Sequence, residues 1–169
     1  MKKWILIVTL IWACFILYQG GQTLDVSLDQ SDIIVDWIVE KIEYYGESRR
    51  GVQDNTKVEP VNQKNEQSNL QSDLRDQISF IIRKGAHFLE YLLLTILIVT
   101  YLRNGEYTKR ELMVYPLFIV LFLSVSDEFI QSFVGRGSNV RDIVLDFSGG
   151  MVGMSLFQFL QRLKLINKN

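Results

Sequence analysis

Apolar residues fall in four long runs, over residues 4–18, 86–102, 112–125 and 143–160, nearly free of charge except for Glu90 and Asp146 near run ends. About 20 predominantly apolar residues in a helix cross a bilayer, with a usable range of roughly 17–25. The second and fourth runs reach that length, and residues 19–21 and 129–134 extend the first and third. The pattern predicts an all-α integral membrane bundle of four transmembrane helices. Between the first two runs, Ile34, Trp37, Ile38 and Ile42 recur at helical spacing, with Asp32, Asp36, Glu40 and Glu43 on the other side. With Asp29 or Ser31 as a cap and Gly46 as a stop, they predict an amphipathic helix over 31–45 packed on the ends of the bundle. Residues 47–73 are rich in Gln, Asn, Ser and charge and read as a flexible linker, because they offer too little apolar surface to order themselves. Helical character returns over 74–80 and leads into the second span. The chain thus divides into a first transmembrane helix (1–21), an acidic segment (22–77) and a core with three transmembrane helices (78–169).

Charge orients this pattern. The net charge of −1 conceals an asymmetry: residues 22–77 carry 12 Asp and Glu against 6 Lys and Arg. Lys2 and Lys3 precede the first span, Arg103, Lys109 and Arg110 separate the second and third, and Arg162, Lys164 and Lys168 follow the fourth. The positive-inside rule places those three groups in the cytoplasm and the acidic segment outside, so both termini are expected to be cytoplasmic. The only cysteine, Cys14, lies within the first run and excludes an intrachain disulfide. A cleaved signal peptide is the rival reading of that run. No small-x-small pattern follows cleanly at Tyr18-Gln19-Gly20, which favours a retained anchor.

Candidate chemistry collects at the expected outer ends of the spans. His87, the only histidine, shares a helical face with Glu90 and Tyr91, and Arg83 and Lys84 lie about a turn before it. Asp127, Glu128 and Gln131 form a second set at the end of the third span. Asp142, Asp146 and Gly149 form a stripe entering the fourth. Between the last two, Gly135-Arg136-Gly137-Ser138-Asn139 reads as a turn. Ionisable groups at the edge of a bilayer are costly unless they pair or line a wet cavity, so they mark a site by default. Three readings stand: a pocket for a polar head group, structural ion pairs that close the bundle (Arg136 with Asp127 or Glu128), and a cation site on His87, Glu90 and further carboxylates. A single histidine without a nearby cysteine is a poor zinc set, and no metal is expected. Catalysis would use His87 with Glu128 or Asp142 as acid and base. No phosphate-cradling glycine loop is present, no cofactor is expected, and the few scattered basic residues give no nucleic-acid surface. Pro116 predicts a kink in the third span. Gly149 and Gly153 give the spacing that allows close helix approach.

Two elements within this pattern, Lys84-Gly-Ala-His87-Phe-Leu-Glu-Tyr91 and Asp127-Glu128-Phe-Ile-Gln131 followed by Gly135-Arg136, Asp142, Gly149 and Gly153, resemble those of the VanZ-like family of bacterial membrane proteins. The resemblance covers most of residues 1–20 and 80–160. It implies a small helical protein of the cell envelope, and the family's named member confers resistance to the glycopeptide teicoplanin. The matched positions Lys84, His87, Tyr91, Asp127, Glu128, Gln131, Arg136 and Asp142, with Glu90 beside them, are the expected ligand-binding residues. A lipid-linked wall precursor or a glycopeptide is the expected ligand, and the lipid bilayer the surrounding partner.

Overall fold

The computed structural model describes residues 2–49, 61–135 and 138–163. These residues form five helices and no strand: α1 Lys2–Gly20, α2 Leu24–Arg49, α3 Val61–Leu102, α4 Glu111–Phe133 and α5 Val140–Arg162. The protein is all-α. Windows within α1, α3, α4 and α5 are long and apolar enough to cross a membrane. Many large apolar side chains on these helices point outward, including Trp4, Phe118, Phe122, Phe129, Val144 and Phe159, while Asp127, Glu128 and Asp146 are buried. Apolar groups outside and carboxylates inside suit hydrocarbon as the surrounding solvent.

The chain divides into two compact units, Met1–Leu24 with Lys84–Asn169 and Asp25–Arg83. The first holds the four apolar helix segments. Ile16 of α1, Tyr91, Leu94, Ile98 and Leu102 of α3 and Val120 of α4 form its main core, with Trp12 and Phe147 packed against it. A second cluster joins Val99 to Met154 and Phe157 of α5. Trp12 Nε1 donates to the Glu90 carbonyl at 3.1 Å and ties α1 to α3. The expected glycine contact is present: a Cβ on Gly149 would strike the Phe88 carbonyl, and one on Gly153 would lie 2.5 Å from the Leu92 carbonyl oxygen. Backbone of α5 therefore rests directly on backbone of α3 over one turn, the close approach that small residues permit.

In the second unit, α2 is longer than the expected 31–45 and runs through Gly46, since one glycine costs a helix only about 1 kcal/mol. The stripe Ile34, Trp37 and Ile42 is exposed; the side that packs holds Ser31 and Val35. Ser31 and Ser79 hydroxyls meet at 2.7 Å, and Arg75 pairs with Asp36. Small side chains let the two helices come close there, which the bulkier apolar stripe would prevent. Residues 61–73, read in sequence as part of the linker 47–73, are helical. They contain neither Gly nor Pro, the two strongest helix breakers, so a helix nucleated by the apolar span propagates through their Gln, Asn and Ser at modest cost. Residues 50–60 of that linker lie outside the described residues.

Candidate functional site

Of the residues singled out in the sequence, Lys84, His87, Glu90, Tyr91, Asp127, Glu128, Gln131, Asp142 and Asp146 lie at one end of the four-helix unit, where α1 and α4 finish, α5 begins and α3 passes. Each helix supplies part of the wall. Tyr91, Asp127, Glu128 and Asp146 are 0%, 0%, 2% and 2% exposed. No regular structure requires three carboxylates in such a place.

His87 and Glu90 stand one turn apart on α3, with His87 Nδ1 3.4 Å from Glu90 Oε2. That separation is longer than an ordinary hydrogen bond, and it is an ion pair when the imidazole is protonated. The other Glu90 oxygen accepts from Gln19 Nε2 at 3.1 Å. One turn on, Tyr91 is fully buried and its hydroxyl has no hydrogen-bond partner among the described residues. The carboxyl groups of Asp127, Asp146, Glu90 and Glu128 lie near it.

On α4, the i,i+4 pair Asp127 and Gln131 is closed by Gln131 Nε2 donating to Asp127 Oδ2 at 2.8 Å. Gly20, the last residue of α1, lies against the Asp127 carboxyl, and any side chain at Gly20 would collide with it. Glu128 Oε2 accepts from the backbone N–H of Asn139 at 2.8 Å, which pins the entry of α5 to α4. Asn139 in turn caps α5, its side chain accepting from Arg141 N at 3.0 Å. The turn between the helices starts at Gly135, whose φ of 75° is a left-handed value that glycine adopts without strain. Arg136 lies outside the described residues.

On α5, Asp142 pairs with Lys84 of α3. One turn deeper, Asp146 Oδ2 accepts from Ser124 Oγ of α4 at 3.0 Å. These contacts change the roles that sequence alone suggests. Among the candidate acid–base residues His87, Glu128 and Asp142, the last two already hold helix-joining contacts, and the carboxylate nearest His87 is Glu90. Among the described residues no group of three or more His, Cys, Asp and Glu has the arrangement to hold a metal ion.

Several members of this wall escaped the sequence reading. Trp12, Gln19 and Gly20 come from α1, and Ser124 from the middle of α4. Gln19 and Ser124 are polar residues in apolar surroundings, a usable signal, but their partners are set by helix packing.

Chemically, the wall is rich in acceptors. Glu90 of α3, Asp127 and Glu128 of α4 and Asp146 of α5 gather around Tyr91, with His87 beside Glu90 and Lys84 paired with Asp142. Such a set favours a ligand that brings hydroxyl, amide or ammonium donors. Comparison with curated proteins and with solved structures finds no match. The family model described as VanZ/LLP1 matches residues 5–161, nearly the whole chain and all four apolar helices. With this arrangement of polar residues inside four membrane-length helices, the protein belongs to the VanZ/LLP1 family.

Proposed function

We propose that this VanZ-like membrane protein binds a donor-bearing head group of a cell-surface lipid or lipid-linked wall precursor at the acceptor-rich end of its bundle. The observation that supports the reading is the Tyr91 hydroxyl, fully buried beside Asp127 and Asp146 and left without a partner among the described residues. A seal made only of structural ion pairs has no use for an unmatched hydroxyl surrounded by carboxylates, because each buried polar group left unmade is costly. The sugar and peptide parts of a wall precursor carry many hydroxyl and amide donors, which fit the acidic wall better than a bare phosphate does. Arg136 belongs to this proposal by its place in the sequence alone. The orientation in which this end faces outside, with both chain termini in the cytoplasm, rests on the distribution of Lys and Arg. Binding there changes how much precursor is exposed to a glycopeptide, and thereby links the protein to teicoplanin tolerance.

The contact between His87 and Glu90 supports a second reading, an enzyme acting on the same class of lipid with these two as acid and base.

The test is Asp146→Asn and Glu128→Gln in a bacterial host whose teicoplanin tolerance depends on this protein, with inserted protein measured in the same membranes. Tolerance and lipid co-purification are expected to fall to the level of cells without the protein while the amount of inserted protein holds. If tolerance per inserted molecule is unchanged, the carboxylates are bundle closure and the reading fails.

A further inference from the structure

The opposite end of the bundle, where α3 and α5 finish and α4 starts, holds a cavity of about 380 Å³. That volume falls within the roughly 300–1,000 Å³ of small-molecule sites. Val99, Met154 and Phe157 form its apolar floor, and they are the buried residues of the smaller core cluster. Lys109, Gln161 and Arg162 stand at its polar side. The lining contains two cations and no acid.

We propose that this cavity is a site for an anionic phospholipid, with an acyl chain on the apolar floor and the headgroup phosphate between Lys109 and Arg162. The two cations come from different helix ends and line one cavity. Both are exposed, and neither has a carboxylate partner among the described residues. Two acids lie close in sequence: Glu106 makes no ion pair with Lys109 or Arg162 among the described residues, and Glu111 is already engaged, its carboxylate accepting from Thr108 N and Oγ1 at 2.7 and 2.8 Å and lying 3.4 Å from the Tyr115 hydroxyl. Glu111 N donates back to Thr108 Oγ1 at 3.3 Å, a reciprocal cap that fixes the turn carrying Lys109. Methionine in the lining adapts its shape to a chain of variable length. Basic pockets between transmembrane helices at the headgroup level recognise anionic lipids by these same means. The site is independent of the acceptor-rich end and shares no residue with it.

The full-length protein, purified in detergent, is mixed with equal amounts of phosphatidylglycerol and phosphatidylcholine and observed by native mass spectrometry. Retention of phosphatidylglycerol is expected to exceed that of phosphatidylcholine by roughly tenfold, from two surface cations acting together. The Lys109→Gln/Arg162→Gln double variant is expected to lose that preference. Arg110→Gln, a cation at the same end but off the cavity lining, is expected to keep it. Unfolding temperatures measured alongside are expected to match, because all three side chains are exposed. Equal retention of the two lipids by the unaltered protein overturns the proposal, as does a preference that survives in the double variant. An equal loss in Arg110→Gln would show a diffuse positive end instead of a site. Displacement of the lipid by excess soluble glycerol phosphate would show an anion site without a lipid requirement, and would overturn it too.

Discussion

At Tyr91 and Ser124, two buried hydroxyls have opposite expected consequences when removed. The Tyr91 hydroxyl has no partner among the described residues, so Tyr91→Phe deletes an unmet polar group that costs about 1–3 kcal/mol. Thermal unfolding in detergent should show equal or higher stability, while co-purifying lipid falls. A clear loss of stability would mean that the hydroxyl is already bonded and not held for a ligand. Ser124 instead donates to Asp146 Oδ2, so Ser124→Ala leaves a buried carboxylate short of a donor and should destabilise by about 1–3 kcal/mol in the same assay. Sequence spacing places Tyr91 on the face of His87 and Glu90, whereas Ser124 is marked only as a polar residue in an apolar run, and its partner Asp146 is set by helix packing.

Among the elements, α5 is positioned by bare backbone. Gly149 and Gly153 rest on the carbonyls of Phe88 and Leu92, one turn apart on α3, and no side-chain adjustment can make room for a new group there. Gly149→Val should therefore push α5 off α3 and lower stability by 1–3 kcal/mol or more, the usual range for overpacking. It should also break the Lys84–Asp142 pair and lower lipid binding. Gly85 is the control. A Cβ there meets nothing within 4 Å, so Gly85→Ala should be neutral or stabilise by up to about 1 kcal/mol through helix propensity. Equal effects at both positions would show that the loss at Gly149 is a helix-propensity effect and not a contact. The Gly-x-x-x-Gly spacing was legible in the sequence because small residues at that interval have few other uses in a membrane helix. The polar first part of α3 was not, because it has no apolar stripe and its helicity is borrowed from the span it joins.

For the whole molecule, the open quantity is which way the bundle faces. In a Cys14→Ser background, Asp29→Cys and Glu106→Cys place single thiols on α2 and on the segment between α3 and α4. An impermeant maleimide on intact cells should label the first and miss the second. Labelling of Glu106→Cys alone would reverse the orientation drawn from Lys and Arg. The first apolar run also has a structural part beyond anchoring. Ile16 lies in the main core, Trp12 bonds to Glu90, and Gly20 abuts Asp127. Purified protein is therefore expected to retain α1, as intact mass would show.

Four membrane-length helices, the limits of all but the start of α3 to within a few residues, and the identity of most ionisable residues at one end were determined by the sequence. Each is a local property: an apolar run has to find hydrocarbon, and a charge within it has to find a partner wherever the chain folds. Which partner it finds is a different matter. His87 stands beside Glu90, Lys84 takes Asp142, Ser124 takes Asp146, and α1 contributes Gln19 to the same wall. Those pairings depend on how far each helix is rotated about its axis and where it crosses its neighbours. Rotation and crossing are set by close packing of surfaces such as Gly149 and Gly153 on α3, which no single helix records in its own sequence.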